Sequence, residues 1–260
     1  MVYAIALLSN LLLASAALAA PSRLEQRLAR RRAGRQSQPI RLLDSGLESL
    51  ASNTSHVEYS SNWAGAVWDT YPSGTFTSVT GTFTVPTPSG SSGAASAWVG
   101  IDGDTCGNAI LQTGVDFTIS NGRVSYDAWY EWYPDYAYDF SGITIKAGDQ
   151  IKLTVTASST KAGTAVIQNL STGKTVTKSL TSSAALCEEN AEWIVEDFEE
   201  GSSLVPFANF GTVTFTNAVA TTKSGSTVGP SGATTIDIKQ NNQVLTSVST
   251  SSSGVTIKYV

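Results

Sequence analysis

Residues 150–180, QIKLTVTASSTKAGTAVIQNLSTGKTVTKSL, decide the fold class. Ile151, Leu153 and Val155 alternate with Lys152, Thr154 and Thr156. That period of two sends successive side chains to opposite faces of a half-buried strand. AVIQNL and KTVTKSL follow, joined through Ser171-Thr172-Gly173, and read as a hairpin. The same pattern fills the chain from residue 56 onward, rich in Val, Ile, Thr, Tyr, Phe and Trp with Ser/Thr/Gly turns at short intervals. TTIDIKQ and QVLTSVS around Asn241-Asn242 read as a second hairpin, and Thr212–Thr216 and Val255–Val260 add strands. No stretch here sustains a helical period over three turns, and no repeat at a fixed period is visible. About a dozen strands in about 200 residues predict one all-β domain, an antiparallel β-sandwich of jelly-roll or concanavalin-like type. Pro86–Ala95, PTPSGSSGAA, reads as a flexible loop inside that domain.

The N-terminal part has a different character. Residues 1–20 hold an apolar core ending in small residues, and Ala17-Leu18-Ala19 fits a signal-peptidase site. Residues 1–19 are therefore expected to be a signal peptide and the protein to be secreted and extracellular, with no membrane partner. Residues 21–55 carry seven arginines (23, 27, 30, 31, 32, 35 and 41) against Glu25, Asp44 and Glu48, a net of +4. The whole chain has 16 basic and 21 acidic residues; removing these seven and three leaves nine against eighteen, a net of −9. A basic arm alone would suit a solvated tail or a nucleic-acid contact. Joined to an acidic secreted body, it reads better as a pro-segment, residues 20–55, held by charge on a domain at 56–260. It is expected to inhibit that domain until acid protonates the carboxylates. No nucleic-acid partner is expected, and the protein is expected to be a monomer. The sparsely charged body should tolerate acid and lose stability near neutrality, where its carboxylates repel one another.

The chemistry is narrowed by what is scarce. His56 is the only histidine, at the expected processing junction, and Cys106 and Cys187 are the only cysteines. Ser-His-Asp triads, Cys-His pairs and His-based zinc sites all need an imidazole in a cleft, so none is expected. In an oxidising compartment the two cysteines most simply form one disulfide. Closing a loop of about 80 residues, it would contribute roughly 3–5 kcal/mol. No metal cluster or nucleotide loop is visible, and no cofactor or metal is expected. Asn53-Thr54-Ser55 and Asn169-Leu170-Ser171 are glycosylation sequons.

Carboxylates and tryptophans concentrate in WVGIDGDTC (98–106), ILQTGVDF (110–117), YDAWYEWYPDYAYDF (126–140) and AEWIVEDFEE (191–200). Strand alternation puts Trp98, Gly100 and Asp102 on one face, and likewise Gln112, Gly114 and Asp116. Asp127, Trp129 and Glu131 share a face, as do Glu192, Ile194 and Glu196. In most of these segments an apolar set lies opposite, ready for a core. Large aromatics beside acids mark binding surfaces, and Gly100 and Gly114 are expected to leave room there for a ligand backbone. On pattern alone these could still be outward polar residues of an ordinary sandwich.

Several long motifs in order carry a resemblance. EYSSNWAGAV (58–67), SAWVGIDGDTC (96–106), AILQTGVDF (109–117), YDAWYEWYPDYAYDF (126–140), NAEWIVEDFEE (190–200), FGTVTFTNA (210–218) and STVGPS (226–231) closely resemble the fungal glutamic peptidases, the eqolisins. The resemblance runs from Glu58 to the end. It implies a sandwich of two roughly seven-stranded antiparallel sheets, and an acid endopeptidase acting on protein or peptide substrates. It implies a catalytic pair, Gln112 in the ILQTG motif and Glu196 in the EDF motif. It further implies that Trp63, Trp98, Asp102, Asp116, Trp129 and Glu131 bind substrate. Two rival readings use the same face: a jelly-roll glycoside hydrolase with Glu131 and Glu196 as its carboxylates, and a non-catalytic glycan-binding module.

Overall fold

The computed structural model describes residues 34–43 and 57–260. The expected signal peptide, most of the expected pro-segment, Asn53 and His56 lie outside them. The described residues form strands, turns and loops, with no helix among them. Two large sheets face each other. The back sheet has eight strands, in the main order Lys174–Thr181, Ala162–Asn169, Gln150–Ser159, Phe76–Thr84, Thr212–Thr222, Val255–Tyr259, Thr246–Thr250. Its first three strands are the 150–180 stretch, with Leu153 opposite Ile167 and Thr156 opposite Thr164. Ile151, Leu153 and Val155 are buried while their neighbours are not, as the alternation requires.

The site sheet has nine strands. Its centre runs Thr234–Gln240, Trp63–Trp68, Ala191–Glu196, Ser92–Ile101, Ile110–Ser120, Arg123–Tyr133. Neighbours on this path are antiparallel, and Val57–Ser60 adds to Thr234–Gln240 as a parallel edge strand. Between the sheets Val99, Leu111, Phe117 and Trp193 pack in one core with Phe83, Leu153, Ile167 and Phe215. Trp193 donates its Nε1–H to the Thr80 carbonyl at 2.8 Å, pinning one sheet to the other. Gly81 makes the room: a Cβ there would come within 3.0 Å of the indole and 3.1 Å of Phe215. Truncating Trp193 to alanine is expected to cost about 3–5 kcal/mol.

The central strands of the site sheet are buried on both faces, and all six residues of Ala191–Glu196 are inaccessible. Away from the back sheet they carry a second apolar group, Trp63, Trp98, Trp129 and Ile194 among it. The disulfide joins Cys106 to Cys187, 81 residues apart with Cα atoms 6.1 Å apart. It ties the loop after Ser92–Ile101 to the segment entering Ala191–Glu196.

Two expectations are corrected. QVLTSVS is not one strand: Gln243–Val244 stays on Thr234–Gln240, while Thr246–Thr250 pairs with Val255–Tyr259 in the other sheet. Thr246 anchors the crossing, its hydroxyl accepting the Ile238 N–H at 2.8 Å and donating to Asp237 at 2.9 Å. The flexible loop ends sooner than Ala95, because Ser92 already opens a strand and Ala94 exchanges backbone hydrogen bonds with Pro206 and Ala208. The Asn169 side chain of the second sequon is taken up by the fold. Its amide donates to Thr144 and Asp149, accepts from the N–H groups of Ser171 and Thr172, and is fully buried.

Candidate active site

Strand register assembles the site. On the face turned away from the back sheet, Trp63, Glu196, Ser96 and Asp116 form one cross-strand row. Ile194, Trp98, Gly114 and Trp129 form the next. Glu192, Gly100, Gln112 and Glu131 form the third. The two glycines serve the tryptophans rather than a ligand. A Cβ on Gly114 would fall 2.5 Å from the Trp98 Cβ and 2.9 Å from the Trp129 ring, and one on Gly100 2.7 Å from the Trp98 ring.

Residues 34–43 of the basic segment lie across this face. Arg35–Gln36 pairs with Glu199–Glu200 as a short antiparallel ladder. The Arg35 guanidinium is 4% exposed and grips Asp116 through two bonds, Nη2–Oδ1 at 2.9 Å and Nε–Oδ2 at 3.1 Å. Its Nη1 donates to Glu131 Oε2 at 3.1 Å. The cation lies 4.0 Å from the Trp129 ring centroid and 4.6 Å from that of Phe198. A planar fork on carboxylates over aromatic faces is what arginine, and not lysine, can satisfy. Two residues on, the Ser37 N–H donates to Glu131 Oε2 at 3.1 Å.

The next peptide group meets Glu196. The Gln38 N–H donates to Glu196 Oε1 at 3.0 Å, and the Trp98 indole N–H to Oε2 at 2.9 Å. The Trp63 indole N–H donates to the Gln38 carbonyl at 2.9 Å. The Ser37–Gln38 bond thus lies with its nitrogen on the Glu196 carboxyl. Burial pushes that carboxyl up to about 7, against the opposing pull of the Arg35 charge and of the Gln38 N–H. Glu131 is also raised by burial, more than Arg35 beside it pulls it down. Neither amide atom of Gln112 has a hydrogen-bond partner among the described residues, although the side chain is buried. Native structures rarely leave buried amides so, and where they do the group commonly has a functional reason.

Of the eight site residues read from the sequence, seven share this face. Asp102 does something else. Its carboxylate accepts four backbone N–H groups, from Cys187, Glu188, Glu189 and Asn190, at 2.7 to 3.1 Å. With φ 71° it also turns its own chain out of the sheet. It holds the disulfide loop, and both its oxygens are committed to that.

Other residues at the site escaped the sequence reading. Ser96 accepts the Trp129 indole N–H at 3.0 Å and a bond from Arg35 at 3.3 Å, and Phe198 stacks on Arg35. Asn62 bonds the backbone of the crossing segment. Ser96 was within reach, since it shares the period of Trp98. Asn62 and Phe198 stand just outside strands, where alternation assigns no face. Nothing in the sequence separates Arg35 from the six other arginines around it.

The sandwich sets carboxyls, an amide and indoles on one face, a lining that suits a hydrolase, and likeness to known proteins gives the class. Residues 61–259 match the Peptidase A4 family. The chain is 55% identical to aspergillopepsin-2 of Aspergillus niger over 284 aligned residues, covering 98% of each chain. It is 45% identical to scytalidopepsin B of Scytalidium lignicola over 265 residues, again 98% of each. The structure of scytalido-glutamic peptidase with a transition state analog inhibitor superimposes with a TM-score of 0.71 at 48% identity, covering 77% of this chain and 98% of that one. The chain belongs to the Peptidase A4 family, the eqolisins, and is a glutamic endopeptidase.

Proposed function

We propose that this is a secreted acid endopeptidase whose catalytic pair is Gln112 and Glu196, made as a precursor whose residues 20–55 block the site. The observation that carries the reading is the Gln38 N–H on Glu196, a peptide nitrogen held on a carboxyl that shares a face with an amide unpartnered among the described residues. Hydrolysis without a nucleophilic side chain needs an activated water, a stabilised oxyanion and a proton for the leaving amine. Glu196, ionised, takes a proton from water as its oxygen bonds to the carbonyl carbon, then gives that proton to nitrogen as the C–N bond breaks. The Gln112 amide donates to the oxyanion while its carbonyl orients the water. Asp116, Trp129 and Glu131 bind substrate N-terminal to the cut, where Arg35 lies, and Trp63 binds beyond it.

The same contacts support latency. With the segment in place both Glu196 oxygens accept protein N–H groups, which leaves the carboxyl poorly placed to activate water. Acid protonates Glu131 and weakens the Arg35 anchorage, so the segment leaves as the pH falls, and water then reaching Glu196 lets its carboxyl ionise at acid pH. The test is hydrolysis of denatured protein at acid pH in the presence of pepstatin and a chelator, beside an assay for sugar release from polysaccharide. Proteolysis that persists, with no sugar released, is expected. Abolition by either inhibitor, or sugar release without proteolysis, overturns the reading.

A further inference from the structure

We infer that Asn62 is a backbone clamp for the leaving-group side of a substrate, so that the enzyme reads the main chain of an extended peptide out to four residues beyond the cut. The inference rests on the peptidase reading above, in which Ser37–Gln38 lies where a scissile bond lies. Residues 38–41 then stand for the first four residues after the cut. The Asn62 side chain touches that stretch through main-chain atoms. Its Nδ2 donates to the Gln38 carbonyl at 3.4 Å and the Pro39 carbonyl at 3.1 Å, and its Oδ1 accepts the Arg41 N–H at 2.8 Å. A carboxamide is the small side chain able both to donate to a peptide carbonyl and to accept from a peptide N–H.

The clamp is braced by its own turn. The Ser60 hydroxyl donates to Asn62 Oδ1 at 2.8 Å and accepts the backbone N–H groups of Asn62 and Trp63, each at 3.1 Å. That turn leads into Trp63–Trp68, where Trp63 pairs directly with Glu196, so clamp and catalytic carboxyl share one rigid frame. Further main-chain bonds extend the pattern. The Ile40 N–H donates to the Gly103 carbonyl at 3.0 Å, the Ser61 N–H to the Arg41 carbonyl at 3.0 Å, and the Leu43 N–H to the Tyr59 carbonyl at 2.8 Å. This is strand addition, in which main-chain bonds give affinity. The Arg41 guanidinium also reaches Glu199 at 2.7 Å and Ile40 packs against the tryptophan group, while other side chains face solvent. Leu42, for instance, is 51% exposed.

The test uses the enzyme brought to acid pH until its activity is constant. Two substrates are compared: a peptide with four residues after the cut, and its twin in which the N–H of the fourth is replaced by an ester oxygen. The wild type is expected to lose on the order of tenfold in kcat/KM on the ester twin, carried in KM with kcat little changed. Asn62→Ala is expected to lose a similar factor on the amide substrate and nothing further on the ester. Equal kcat/KM of the wild type on both substrates, or an ester penalty undiminished in Asn62→Ala, overturns the clamp. If Asn62→Ala does not fold by circular dichroism, the wild-type comparison decides alone. Failure of the peptidase reading would show separately, as full turnover by Glu196→Gln.

Discussion

Glu196 is a buried acid whose two oxygens are held by different parts of the protein. The indole N–H of Trp98 on Oε2 favours the ionised carboxyl, and burial opposes it. Replacing Trp98 by phenylalanine keeps the ring and removes the donor. If Glu196 is the general base, the acid limb of kcat/KM should then move to higher pH, because the carboxyl holds its proton longer. A charge-assisted bond of this kind is worth about 1.5–3 kcal/mol, so kcat/KM below the limb should drop roughly ten- to a hundredfold. A pH–rate profile checks this, and an unmoved limb would detach Trp98 from Glu196. Asp197 next door shows how position separates neighbouring acids. It too is raised by burial, to about 8, but its carboxylate accepts from Gln240 at 2.7 Å.

At the scale of elements, the back sheet was legible in the sequence and the site sheet only partly so. Gln150–Ser159 has one buried and one solvated face, and its alternation gives the strand and its register away. Ala191–Glu196 is buried throughout, so period two is hidden in its burial and only chemical type marks Glu196. Face sorting nevertheless grouped Gln112 with Asp116 and Glu192 with Glu196, because a pleat does not depend on what covers it. It misplaced Asp102, which lies beyond the last paired residue of its strand, where a positive φ ends the alternation. It could not foresee the division of QVLTSVS, since a crossing between sheets is a tertiary event set by Thr246 and Asp237. The segment at 34–43 offered only its charge to the sequence reading, and its buried ion pairs come from one residue, Arg35. Arg35→Ala removes the fork on Asp116 and the contact with Glu131. If residues 20–55 block the site, the full chain should show a lag before hydrolysis at pH 5, and Arg35→Ala should be active from the first time point. Equal lags in a continuous assay would remove Arg35 from latency.

Across the whole molecule, burial holds several carboxyls above their ordinary range. Asp104 is raised to about 7, Glu196 to about 7 and Asp197 to about 8, and burial is the leading cause in each. Glu192 is raised as well, and neither of its oxygens has a partner among the described residues. In the unfolded chain such groups ionise near pH 4, while in the folded protein they keep their protons several units longer. Between those values the folded state binds more protons, so stability falls as pH rises from about 4 to about 8. The sequence reading expected weakness near neutrality from mutual repulsion; burial of these carboxyls supplies a second and larger reason to expect it. The melting temperature should be highest near pH 4 and decline toward pH 8, and one that climbs over that range contradicts the assignment. Glu192→Gln, which mimics the protonated acid, should raise the melting temperature at pH 7 and leave it nearly unchanged at pH 4. The catalytic claim is tested most directly by kcat on an acid-denatured protein for Gln112→Ala and Glu196→Gln, each matching the parent by circular dichroism. The account predicts a fall of roughly 10²–10³ or more for Gln112→Ala and near-complete loss for Glu196→Gln. Turnover of either folded variant at the parent rate would contradict it.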